Sequence, residues 1–141
     1  MSGFLLDTNC ISELTRPTPD PRVLDWMQAA DETLLHLSVL TLGEIRKGIA
    51  GLPQGKRRTQ LEVWLERNLQ ARFAGKILPI DTQTADRWGQ LAAEAKKKGK
   101  PLSAIDGLLA ATALQHNLTI VSRNVRDFAP TPAAVLNPWE S

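Results

Sequence analysis

Three carboxylates in this chain stand where strands and helices change over, and an acid in such a place needs a partner. Asp7 ends the apolar run FLL of residues 4–6 and opens the polar stretch TNCISE of residues 8–13. Glu44 lies in TLGE at 41–44, at the start of one helical pattern, and Asp106 in SAID at 103–106, at the start of another. A buried carboxylate left unpaired is costly, so each must meet a cation, water or hydrogen-bond donors. Converging on one point, the three would repel one another unless a cation sat between them. Mg²⁺ and Mn²⁺ suit such a site, since they take oxygen ligands and keep waters for a phosphate group. A second reading stands beside this one. TLGE and SAID both match the capping box, in which an acid three residues after Ser or Thr satisfies helix-end amides, and acids there also suit the helix dipole. The readings are compatible, and neither motif alone separates them.

The elements that must position these acids follow from the hydrophobic pattern. Residues 3–6 read as a short strand, apolar throughout as buried parallel strands are. Residues 9–15 read as a short helix stopped by RPTP, and Pro21 opens a helix over 21–30. TLLHLSVL (33–40) carries a second strand and runs into the helical TLGEIRKGIAGL, which ends near Gly51-Leu52-Pro53. A long helix is expected over 55–73, with Leu61, Leu65, Leu69 and Phe73 at four-residue steps forming a packing stripe, either core or dimer. KILPID (76–81) is a third strand, 83–98 a helix closed by Gly99 and Pro101, and 103–117 another helix leading into LTIVS (118–122). AAVLNP (133–138) offers a last edge strand. This alternation predicts a three-layer α/β/α fold around a mainly parallel sheet of four to five strands. In such sheets functional groups collect beyond the carboxyl ends of the strands. Asp7 and the segment after TIVS would both stand at that edge.

Composition narrows the function. A chain of 141 residues is expected to form one domain over 1–141, and 43% hydrophobic with 23% charged residues is ordinary for a globular protein. No apolar run approaches the roughly 18–20 residues that span a membrane, and Asp7 interrupts what could have been a signal segment. The single Cys10 cannot form an internal disulfide, which suits a reducing cytoplasm. With only His36 and His116 besides, a zinc site of His/Cys type is disfavoured. The net charge of +2 is small, but the cations gather at Arg46-Lys47, Lys56-Arg57-Arg58, Lys96–Lys98 with Lys100, and Arg123 with Arg126. Each cluster could contact phosphates or be a solvated helix face.

Taken in order, the motifs form a recognisable set. LLDTN (Leu5 to Asn9) is followed by Ser38, Thr41 and Glu44 in S-x-x-T-x-x-E. Asp106 then precedes Ala110-Ala111-Thr112-Ala113, and Ser122-Arg123-Asn124 runs through to Asp127-Phe128. This arrangement resembles the PIN-domain family, and within it the VapC and FitB type of bacterial toxin ribonuclease, over residues 3 to about 130. The resemblance implies a Mg²⁺- or Mn²⁺-dependent endoribonuclease acting on tRNA, ribosomal RNA or other RNA, held in check by a cognate VapB-like antitoxin and forming a homodimer. It makes Asp7, Glu44 and Asp106 the core metal ligands. Many relatives carry Asp where this chain has Asn124, while others have Asn there and an acid three residues on, which here is Asp127. The expectation is Asp127 as the fourth acid and Asn124 as a neutral ligand or water-positioning group.

Smaller candidates flank the acids. Thr8 and Asn9 could bind phosphate or cap a helix, and Arg123 and Arg126 could hold substrate phosphates or be solvated. Asp81 after ILPI invites comparison with a phosphoacceptor domain, but the chain lacks a paired acid after its first strand and a suitably placed later Lys. The remaining rival is a PIN-like scaffold that binds RNA or protein without cutting.

Overall fold

A computed structural model describes residues 3–140. Strand β1 (Phe4–Leu6) lies at the centre of a five-stranded sheet of order β3-β2-β1-β4-β5, with β2 at Leu35–Ser38, β3 at Ile77–Leu78, β4 at Thr119–Val121 and β5 at Val135–Leu136. All neighbouring pairs are parallel. Successive strand residues point to opposite faces, which divides the core in two. Leu6, Leu35, Leu37 and Val121 pack on one face with helix α1 (Thr8–Glu13), α2 (Pro21–Ala29) and α3 (Val39–Ala50). The same face takes the helical run of α4 (Lys56–Val63), a π-turn (Trp64–Leu69) and α5 (Gln70–Arg72). Leu5 and Ile120 pack on the other face against α7 (Ala104–Gln115) and Leu91 of α6 (Thr82–Lys97). The layers are thus α/β/α, as the alternating pattern predicts.

The π-turn answers a question the stripe raises. Steps of four residues drift by about 40° each around an ideal α-helix, so Leu61, Leu65, Leu69 and Phe73 would slide off one face. A turn closed by i→i+5 bonds takes up that excess, and Leu65, Leu69 and Phe73 are all buried. Those three residues of the stripe are therefore core, and Leu61 is half-buried.

One helix starts earlier than TLGE predicts. Ser38, the last residue of β2, accepts from the Leu40 N–H at 3.1 Å and caps α3. Thr41 is consequently buried within the first turn and its hydroxyl caps nothing. Glu44 falls on the second turn, too far along to cap the helix. In SAID the serine half of the capping box forms: Ser103 caps α7 and accepts from the Asp106 N–H at 3.1 Å. α7 lies close against α6, because a Cβ on Gly107 would sit 2.8 Å from the Trp88 ring. That contact fixes the start of α7 and with it Asp106. Asp81 also takes a structural place, accepting from the Thr84 N–H at 2.8 Å as the cap of α6.

Candidate active site

Strand register builds the site. Leu6 pairs with Val121, and the Asp7 N–H donates to the Val121 carbonyl at 2.9 Å, so the residues that follow β1 and β4 meet at the carboxyl edge of the sheet. There Asp7 caps α1 and is 8% exposed. Its Oδ1 accepts from the Thr8 N–H at 2.8 Å, and its Oδ2 from the Ser122 hydroxyl at 2.8 Å and, more weakly, from Asn9 Nδ2 at 3.5 Å. These donors are neutral, and no ion pair involves Asp7 among the described residues.

Glu44 reaches the same edge from α3, where the Thr8 hydroxyl donates to its Oε1 at 2.5 Å. Asp106 reaches it from the first turn of α7. An open cleft of about 390 Å³ is lined by Asp7, Thr8, Asn9, Ser12, Glu44, Ile105, Asp106 and Asn124. The carboxylates line this cleft without closing into a cage: no group of three or more His, Cys, Asp or Glu among the described residues is drawn into a ready metal shell.

Electrostatics mark the cleft as hungry for positive charge. Burial raises the Asp7 carboxyl above its usual range, against the lowering effect of Ser122 and Thr8, and the charges of Glu44 and Asp106 raise it further. Asp106 is raised by burial too, opposed by Ser103 and reinforced by Asp127 and Glu44. Cys10, packed behind the site, has its thiol pushed up to about 12 by burial and the nearby acids, so it is a small hydrophobe and no ligand.

The loop after β4 distributes its residues differently from one another. Asn124 lines the cleft and Asp127, in the turn that follows, does not; both are exposed, and the Asp127 charge acts on Asp106 ahead of that of Glu44. Arg123 lies over the Trp139 ring at 5.5 Å and beside Asp20, and Arg126 is exposed; neither lines the cleft. Thr8 and Asn9 do line it, but their side chains hold protein groups: Thr8 holds Glu44, and Asn9 joins Ser122 to the Arg123 N–H. Two participants, Ser122 and Ser12, were not singled out as site residues in the sequence. Ser122 had a signal, since it is the first polar residue after a buried strand, as Asp7 is. Beside the cleft, and sharing Thr8, Glu44 and Ile105 with it, runs an apolar groove of about 750 Å³ with Val39, Leu40 and Leu52 in its walls and Lys47 among its lining.

Comparison with known proteins agrees with this geometry. The chain is 43% identical over 136 residues to Toxin FitB of Neisseria gonorrhoeae, covering 96% of this chain and 98% of that one. It is 40% identical over 137 residues to VapC ribonuclease Y4jK of Sinorhizobium fredii, covering 97% and 98%. The crystal structure of FitAcB from Neisseria gonorrhoeae superposes with a TM-score of 0.94 at 42% identity, over 98% of this chain and 99% of that one. Residues 4–132 match the PIN domain. With the parallel five-stranded sheet and the acids gathered at its carboxyl edge, these matches show that the chain belongs to the PIN-domain family.

Proposed function

We propose that this protein is a nuclease, specifically a Mg²⁺- or Mn²⁺-dependent endoribonuclease that serves as the toxin of a toxin–antitoxin pair. The observation that carries the reading is the meeting of Asp7, Glu44 and Asp106 in one cleft with neutral donors and no resident cation from the chain itself. Membership of the PIN-domain family and relatives named as a toxin and a ribonuclease support it.

The donor set fits a hard divalent ion. Carboxylate oxygens of Asp7, Glu44 and Asp106, with the Asn124 carboxamide, are all oxygen donors, and no thiolate or imidazole lines the cleft. Such an ion, when bound, supplies Lewis-acid stabilisation of the charge on a phosphodiester and acidifies water. The chain's own residues do the rest. Asp7 offers chiefly the lone pair left on Oδ1 beside the Thr8 N–H, since Oδ2 already accepts from Ser122 and, more weakly, from Asn9. Glu44, held by Thr8, keeps a carboxylate at the wall of the cleft where it can orient a water and take its proton. Water attack does not use the 2′-hydroxyl, so preference for RNA would come from shape and from contacts beyond the acids. The adjoining apolar groove offers an antitoxin a seat beside the cleft, and a cytoplasmic setting keeps Cys10 reduced. A homodimer, implied by the family resemblance, is checked by light scattering of the purified chain.

The competing reading, a scaffold that binds without cutting, draws on one observation: Asn124 lines the cleft where a fourth acid would stand, and Asp127 does not. Titration of Mn²⁺ into wild type and Asp106→Asn, with cleavage of total small RNA followed in parallel, separates the two. Binding and ion-dependent cleavage in wild type, lost in the variant, is the expected result. Absence of both in wild type would leave the scaffold.

A further inference from the structure

Ser122 is the first residue after β4, and no solvent reaches it. Its Oγ lies 2.8 Å from Asp7 Oδ2, 3.2 Å from Asn9 Nδ2 and 3.0 Å from the Asn124 backbone nitrogen. The last two groups can only donate, since one is an amide NH₂ and the other a peptide N–H. The Asn9 carboxamide has no freedom to reverse, because its oxygen accepts from the Arg123 N–H at 3.3 Å. The single hydroxyl proton of Ser122 therefore points to Asp7 Oδ2. One buried oxygen thus ties three segments together: the end of β1, the first turn of α1, and the loop that carries Asn124 into the cleft.

We propose that Ser122 is a positioning residue for the reaction assigned to this cleft: donating to Asp7 while accepting from Asn124, it sets the rotation of the Asp7 carboxylate and the place of the Asn124 backbone together. This rests on the nuclease reading above. Groups that hold a ligating side chain from behind commonly matter about as much as 10–100-fold in ion affinity or activity. A serine that merely filled a polar hole would affect melting and leave the affinity of the folded protein alone.

The experiment uses the full chain as wild type, Ser122→Ala and Ser122→Thr. Mn²⁺ affinity is measured by calorimetry, cleavage on total small RNA, and melting without added ion. Ser122→Ala is expected to weaken Mn²⁺ binding about 10–100-fold and slow cleavage, while Ser122→Thr, which keeps the hydroxyl, recovers both to within about threefold. The Asn124 backbone amide resonance should move in Ser122→Ala and return in Ser122→Thr, with no ion present. Wild-type affinity in Ser122→Ala would overturn the assignment, as would failure of Ser122→Thr to recover binding while it melts like wild type. Should Ser122→Ala not fold, Ser122→Cys keeps the volume with a weak donor and is expected to bind Mn²⁺ more weakly than wild type; equal affinity would overturn the assignment. A wild-type protein that neither binds Mn²⁺ nor cleaves would overturn the nuclease reading and this role with it, a result distinct from a defect confined to the variants.

Discussion

Helix α1 has a buried carboxylate at each end, and the two are held in opposite ways. Glu13, 4% exposed, meets the guanidinium of Arg16 at 3.2 Å and accepts from the Asp20 N–H at 2.8 Å. Asp7, 8% exposed, meets only neutral donors and faces the like charges of Glu44 and Asp106. Burial is therefore no guide to function by itself. Glu13 is satisfied by its own chain and ties α1 to the turn before α2. Asp7 lacks a cation from the chain, so its charge is available to one from outside.

Substitution at each end should break the symmetry in opposite directions. Asp7→Asn is expected to remove Mn²⁺ binding and RNA cleavage by more than the ~100-fold that loss of a ligand's outer partner costs. Its melting should stay within about 1 kcal/mol of wild type, because one lost hydrogen bond is offset by relief of a buried charge. Calorimetry and thermal melting on the same sample check both halves. Glu13→Gln should do the reverse, lowering stability by about 2 kcal/mol through loss of a charged acceptor for the Asp20 N–H. The share from Arg16 is small because that side chain is 60% exposed. Mn²⁺ affinity of the folded protein should be retained, and a parallel loss of binding would show that Glu13 also serves the cleft.

A smaller effect is expected at Gly107. A Cβ there must displace the Trp88 ring 2.8 Å away, so Gly107→Ala should cost about 1–2 kcal/mol of stability by overpacking. Weaker Mn²⁺ binding should accompany it, since the start of α7 carries Asp106. The smallest effect concerns pH. Asp7 and Asp106 both have folded values above the ordinary 3.8. The folded state thus holds their protons more tightly than the unfolded one, and this contribution to stability is fully present below 3.8 and is lost as pH rises through the raised values. Without divalent ions, wild type should gain stability relative to Asp7→Asn as pH falls through that window. Melting curves of the pair across mildly acidic pH test this, and a difference that does not change with pH would refute it.

Much of this was legible in the chain itself. The run FLL that stops at Asp7, and LTIV, apolar but for Thr119, that stops at Ser122, mark strands β1 and β4, because a short, largely apolar run suits a strand covered on both faces. Asp106 was legible as an acid in the first turn of a helix and keeps that place while lining the cleft, but the cap of α7 is Ser103. Glu44 was misplaced, since TLGE satisfies the capping pattern locally while Ser38, three residues earlier, takes the cap. The stripe from Leu61 to Phe73 allowed either core or dimer, and the π-turn that helps bury Leu65, Leu69 and Phe73 has no local signature. Asp127 matched the pattern of an acid beside Asn124; both are exposed, Asn124 lines the cleft, and Asp127, in the turn Val125–Phe128, bears on Asp106 through its charge ahead of Glu44.

The amino-acid sequence alone determined the alternation of strands and helices, the oxygen-only donor set and the acids at element junctions, because these follow from local periodicity and side-chain chemistry. Only the tertiary structure decided which hydroxyl holds which carboxylate. Ser122 is 115 positions from Asp7, and Thr8 is 36 positions from Glu44. Contacts across such distances form when parallel strands come into register, and register is a property of the packed sheet that no local stretch of the chain contains.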